Sequence, residues 1–131
     1  MLYNTVDFQI ENGNFRILGR TSADIIKSGG YKISALDVET VLLTHPAIMD
    51  LAVIGVEDET WGQAVAAVIV SRPGTDAGEL EVATLRSWCR DKMPRYWTPS
   101  LVRILPEMPR NVMGKVNKKE LVKTLFPPSS D

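Results

Sequence analysis

Apolar and polar side chains alternate over two short runs, 6–10 and 15–18, on either side of Asn12-Gly13. That dipeptide suits a two-residue turn with positive φ at both central positions, so the pattern predicts a β-hairpin over 6–18. A hairpin of this size is marginal alone in water and is expected to lean on another element. Two near-continuous apolar runs, 51–56 and 65–70, predict central strands covered on both faces, and 101–105 predicts a third strand. Helical patterns fall between and after them. Ser34 as N-cap, Asp37, Glu39 in the first turns and Pro46 as terminator frame a first helix with Val38, Val41 and Leu42 on its buried stripe. His45 stands at its C-terminal end, where a partly cationic imidazole acts as a cap. A second helix, from about residue 81 to 92, carries Val82, Leu85, Trp88 and Cys89 at helical spacing and stops at Pro94. The last begins with the capping pair Asn117 and Glu120, carries Leu121, Val122 and Leu125, and stops at Pro127. Together these elements predict an α+β fold: a small central sheet of about three strands flanked by helices, plus the N-terminal hairpin.

Four stretches fit neither period. Residues 19–32 hold Gly29-Gly30 among Arg20, Lys27 and Lys32, a composition suited either to tracking an extended anionic ligand or to a solvated connector. Trp61, in the acidic loop 57–63, is a lid over the core or an exposed stacking platform. Arg95-Tyr96-Trp97-Thr98-Pro99 is a rigid aromatic-basic link with the same two readings. The fourth is Pro109-Arg110-Asn111-Val112-Met113-Gly114-Lys115, a lysine behind a glycine between a strand and a helix. Glycine permits close backbone approach, and the ammonium is a compact point charge suited to phosphate or carboxylate. A Walker loop is excluded, because Pro109 and Val116 stand where that motif needs a glycine and a hydroxyl residue. Lys115 is therefore either an ordinary turn lysine or a charge delivered to a site that other residues build.

Composition narrows the chemistry. The 131 residues are 44% hydrophobic and 24% charged, the profile of one globular domain. With a single cysteine, Cys89, and a single histidine, His45, there is almost no support for disulfide frameworks, metal-ligand sets or Ser-His and Cys-His pairs. The net charge of −1 hides an asymmetry: residues 1–85 carry 5 Lys/Arg against 12 Asp/Glu, and residues 86–131 carry 10 against 4. A basic half around Lys115 suits a polyanionic small molecule better than nucleic acid, since the cations are dispersed and no recognition motif accompanies them. No apolar run reaches the ~18 residues of a membrane span.

Two motifs carry a family resemblance. Gly-Arg-Thr-Ser-Ala-Asp-Ile-Ile-Lys-Ser-Gly-Gly-Tyr-Lys-Ile-Ser-Ala-Leu-Asp-Val-Glu (19–39) and Pro-Arg-Asn-Val-Met-Gly-Lys (109–115) resemble the core and closing motifs of the small C-terminal domain of adenylate-forming enzymes. The resemblance implies a mobile lid domain spanning residues 1–131, with a hinge-proximal segment 1–12, a disordered tail 127–131 and a large N-terminal domain outside the chain. It implies that Lys115 bridges the ATP α-phosphate and a carboxylate during adenylation, and that Arg20 meets the nucleotide. After rotation of the domain, Gly29 and Gly30 would line a pantetheine channel, with Lys27, Tyr31, Lys32, Trp61 and Tyr96 toward coenzyme A. The hinge would fall at Glu11-Asn12, with no Thr-Gly-Asp upstream. ATP with Mg2+, coenzyme A and a small carboxylic acid would be substrates of the whole enzyme, none held by this domain alone. The likeness is greatest to the malonyl-CoA synthetase branch, which implies a mitochondrial or cytoplasmic setting.

Overall fold

The computed structural model describes residues 24–127. The 6–18 hairpin, Glu11-Asn12, Arg20 and residues 128–131 lie outside them. The first described elements are β1 (Ile25–Ser28) and β2 (Tyr31–Ser34), paired antiparallel from Ile25↔Ser34 to Ser28↔Tyr31. Gly29 and Gly30 turn the chain at φ 57° and 88°, the doubly positive conformation that a two-residue hairpin loop requires and that glycine adopts without steric cost. The second half of the stretch expected to be an aperiodic loop is thus a tight hairpin. Four-residue strands carrying Lys27-Ser28 and Tyr31-Lys32 are too short and too polar to declare a period of two.

Helix α1 (Ala35–Leu42) begins as expected, with the Ser34 hydroxyl accepting from Asp37 N–H at 3.3 Å and Ala35, Val38 and Leu42 buried. His45 departs from the cationic cap. It is buried against Trp88, and its Nδ1 accepts the Ala47 N–H at 3.0 Å, which requires a lone pair on that nitrogen. Burial lowers its pKa from 6.5; Glu79 opposes this more weakly, and Lys92 adds to it.

Next come β3 (Ile48–Asp58) and β4 (Gly62–Ser71), a long antiparallel ladder that reaches Asp58↔Gly62 and consumes most of the loop expected over 57–63. Helix α2 (Val82–Cys89) buries Leu85 and Cys89, and carries the chain over to β5 (Leu101–Ile104), which pairs parallel with β4 from Ala66↔Leu101 to Ile69↔Ile104. Helix α3 (Lys118–Leu125) follows the lysine loop, capped by the Asn117 side chain accepting from Glu120 N–H. The sheet therefore has five strands rather than three, in the order β2-β1-β4-β3 with β5 also on β4.

Strand β4 is buried without interruption from Ala64 to Val70, and the pleat sorts its residues onto two cores. Val65, Ala67 and Ile69 pack with Leu51, Val53, α1, α2 and the hairpin residues Ile26 and Ile33. Ala66, Val68 and Val70 pack with Ala52, Ile54, Met108 and Leu121 under α3. Each fully buried aliphatic side chain contributes on the order of 1.5–3 kcal/mol, so the two-sided core carries the fold.

Among the described residues β3 pairs only with β4, leaving one edge open. Carboxylates close it. Glu39 Oε2 accepts the Val53 N–H at 2.8 Å, and Asp50 Oδ1 accepts the Leu51 N–H at 2.8 Å. Glu39 also pairs with Lys118 Nζ at 2.8 Å, and the same ammonium reaches Asp24 Oδ1 at 2.8 Å, all three side chains 13–16% exposed. One lysine thus ties α3 to α1 and to the start of the hairpin.

Lys118→Ala removes the cation shared by Glu39 and Asp24 while the Glu39 carboxylate stays shielded from water; urea unfolding is expected to show a loss of roughly 2–4 kcal/mol, somewhat below a fully buried pair. Because His45 is held neutral, the unfolded chain binds more protons near pH 6, so its share of stability is complete above pH 6.5 and is lost as pH falls below it. His45→Asn, which can accept the same N–H without titrating, is expected to reduce the fall in urea midpoint between about pH 7.5 and 5.5.

Candidate functional site

The hairpin turn and the β3–β4 turn meet. The Gly29 N–H donates to the Trp61 carbonyl at 2.9 Å, and the indole lies so close over the glycine that a Cβ there would stand 3.0 Å from Trp61 Cε3. Asp58 Oδ1 accepts from the N–H groups of Thr60 and Trp61, fixing the turn that presents the ring. Trp61 is 58% exposed: it is a platform on Gly29, not a lid on the core. The aromatic-basic link divides its roles, with Trp97 packed against the core and Tyr96 exposed and stacked on Tyr31 at 3.8 Å between ring centroids, 13° from parallel.

Gly29, Tyr31, Trp61 and Tyr96 line one cavity of about 510 Å³, together with Ser28, Arg86, Arg95, Thr98 and Ser100. The guanidinium of Arg86 is spent on the Thr98 and Pro99 carbonyls, at 3.2 and 3.0 Å, whereas Arg95 is exposed. Gly30 completes the turn, with nothing within 4 Å of where its Cβ would be. Lys27 and Lys32 do not line this cavity. They face each other in register, and the pleat places them on the side of the hairpin opposite Ile26 and Ile33, both exposed.

The lysine loop is a separate construction. Asn111 organises it: its Oδ1 accepts from Met113 N–H at 2.9 Å and Lys115 N–H at 3.0 Å, its carbonyl accepts from Gly114 N–H, and its own N–H donates to the Lys115 carbonyl. Gly114 turns at φ 82°. Val112 and Met113 are 105% and 75% exposed, and Lys115 is exposed, with no carboxylate paired to it among the described residues. Lys115 does not line the aromatic cavity. Lys118 is tied to Asp24 at one end of β1, while the cavity opens at the other, ~17 Å of strand away at ~3.3 Å per residue. Among the described residues no group of three or more His, Cys, Asp or Glu side chains could hold a metal ion, and no helix is long and apolar enough to cross a membrane.

The family model of the AMP-binding enzyme C-terminal domain matches residues 37–115, ending on Lys115. The chain belongs to the AMP-binding enzyme C-terminal domain family. It is 52% identical over 124 residues to the mitochondrial malonate–CoA ligase of Bos taurus, covering 95% of this chain, and 43% identical over 122 residues to a malonate–CoA ligase of Arabidopsis thaliana, covering 88%. It spans only 20% of the length of either relative. Among solved structures, ATP-bound MatB from Rhodopseudomonas palustris superposes with a TM-score of 0.74 at 27% identity, over 89% of this chain and 22% of that one. The o-succinylbenzoate–CoA synthetase of Bacillus subtilis bound to its acyl-adenylate gives 0.65 at 36% identity, over 75% and 19%.

Of the residues lining the cavity, Gly29, Tyr31, Trp61 and Tyr96 were legible in the sequence as candidate contacts, Ser28, Arg95 and Thr98 only as members of the aperiodic stretches, and Arg86 and Ser100 not at all. Nor were Asp50 and Lys118, whose partners are distant in sequence. Gly29→Ala combines a positive φ with a 3.0 Å contact to the indole and is expected to cost roughly 1–3 kcal/mol in urea unfolding. Adding Trp61→Ala is expected to return the part due to the contact and leave the part due to backbone strain.

Proposed function

We propose that this chain is the mobile C-terminal domain of an ATP-dependent acid–thiol ligase acting on malonate or another short carboxylic acid. The observation that carries the reading is Lys115: an exposed ammonium, unpaired among the described residues, at the base of a hydrogen-bonded turn where the family match ends. Malonate is favoured because relatives 52% and 43% identical are malonate–CoA ligases. A mitochondrial setting follows the same animal relative.

In the first half-reaction a carboxylate oxygen attacks the α-phosphorus of ATP, forming an acyl-adenylate as the bond to pyrophosphate breaks. ATP enters with its Mg2+ as substrate. Two anions are being forced together, and an ammonium fixed at that point offsets charge as it develops. In the second half-reaction the thiol of coenzyme A attacks the acyl carbonyl and AMP leaves. The hairpin end supports this step: a cavity beside Gly29, with Trp61, Tyr31 and Tyr96 as aromatic faces and Arg95 as a cation, while Gly30, Lys27 and Lys32 lie outside it on the same hairpin. Because Lys115 does not line that cavity, bringing first the lysine and then the cavity to the large domain calls for two approaches, so rotation between the half-reactions is part of the proposal. Arg20 and the Glu11-Asn12 hinge remain assignments from the family resemblance.

A second reading has a carrier-bound thiol or an amine as acceptor; the amine draws support from the amide bond synthetase of Marinactinospora thermotolerans, similar at 32% identity with a TM-score of 0.71 over 82% of this chain and 21% of that one. Acceptor trials with the complete ligase decide between them.

In that complete ligase Lys115→Ala is expected to lower malonate-dependent ATP–pyrophosphate exchange by about 10²–10³-fold, the scale for removing one preorganised charge-stabilising group. Thioester formation from preformed acyl-adenylate is expected to persist. Unchanged exchange would overturn the role of Lys115.

A further inference from the structure

The lysine loop is exposed and glycine-containing, yet the chemistry proposed for Lys115 needs its ammonium within a fraction of an ångström of a fixed place. The internal hydrogen bonds centred on Asn111 define the loop's shape but not its direction relative to the sheet. Arg110 supplies that direction. Its Nη2 pairs with Asp50 Oδ2 at 2.6 Å, and its Nη1 donates to the carbonyl of Gly114, the residue immediately before Lys115, at 3.0 Å. Among the described residues this is the one side-chain hydrogen bond from 109–115 to an element outside the loop.

The anchor itself is rigid. Asp50 follows the register irregularity between Ile48 and Asp50, and lies on the face of β3 shared with Ala52 and Ile54, which α3 covers. Its other oxygen accepts the Leu51 N–H, so the carboxylate is oriented by the strand before the arginine arrives. Beyond Lys115, Lys118 is held by Glu39, whose carboxylate accepts the Val53 N–H. Two ion pairs therefore bracket Lys115 and rest on N–H groups two residues apart on one strand, a baseline of ~7 Å.

We propose that Asp50 and Arg110 are positioning residues that aim Lys115 for adenylation, acting through the Gly114 carbonyl and touching no substrate. The inference rests on the proposed role of Lys115. A planar guanidinium suits the task because it donates to a carboxylate and a carbonyl at once in a fixed fork, which an ammonium cannot reproduce in the same plane. Breaking the bracket leaves Lys115 present but misdirected, so the loss falls on turnover in the first half-reaction.

The test uses the complete ligase with Asp50→Ala, Arg110→Met, the pair combined, Arg110→Lys and Lys115→Ala. Asp50→Ala and Arg110→Met are each expected to lower kcat of ATP–pyrophosphate exchange by about 10–100-fold, the scale for losing an orienting partner. KM for ATP and malonate, and thioester formation from preformed acyl-adenylate, are expected to stay within about twofold. The combined variant is expected to be no worse than either single one, the mark of residues acting as a unit, and Arg110→Lys to recover part of the loss. Amide exchange at Met113 and Lys115 is expected to quicken in Asp50→Ala. Exchange activity within twofold of wild type in Asp50→Ala, with Lys115→Ala inactive, would overturn the inference and leave the proposed function standing. So would a far larger loss in Arg110→Met than in Asp50→Ala, which indicates direct substrate contact by the arginine. An active Lys115→Ala would instead overturn the role of Lys115, and with it any catalytic task for the bracket.

Discussion

An open strand edge is a liability that the chain has to answer, and its answer organises the lysine-bearing end of the molecule. Strand β3 leaves the Leu51 and Val53 N–H groups without a neighbouring strand among the described residues, and the carboxylates of Asp50 and Glu39 take them. A carboxylate that has accepted a backbone N–H still has lone pairs and a charge to satisfy. Arg110 and Lys118 satisfy them, and both belong to the segment that carries the candidate catalytic lysine. Closing the edge and placing the loop are thus one set of contacts. The Arg110–Asp50 pair is partly exposed, so its value lies in fixing geometry more than in net stability.

The two candidate surfaces differ in kind. The lysine loop offers one charge on a braced but exposed turn. The hairpin end offers shape: a positive-φ turn under an indole, aromatic faces and a cavity of about 510 Å³. The long β3–β4 ladder serves both, because its far end presents Trp61 while Asp50 near its beginning holds Arg110. One continuous sheet fixes the spacing between the two surfaces.

What could be read from the sequence follows how local the determining physics is. Helix caps at Ser34 and Asn117, and the apolar runs of β3 and β4, depend on neighbours along the chain and are legible in the sequence. The glycine turn did not, because its flanking strands are four residues long and their alternation is blurred by Lys27 opposite Lys32. His45 was misjudged because a helix C-terminus favours a cation, whereas burial against Trp88 and a donor at Ala47 demand a neutral ring; the tertiary environment outweighed the dipole. The lysine loop was legible as a motif, but Asp50 reads as an ordinary strand-end acid. Its importance comes from a partner 60 residues away.

The stacked tyrosines carry one more consequence. Tyr31 and Tyr96 already occupy each other's faces at 3.8 Å, so a purine ring seeking that surface must first part them or settle for an outer side. Parting the rings forfeits their mutual contact, so a flat guest inserted between them would gain only the difference between the new stacking and the old.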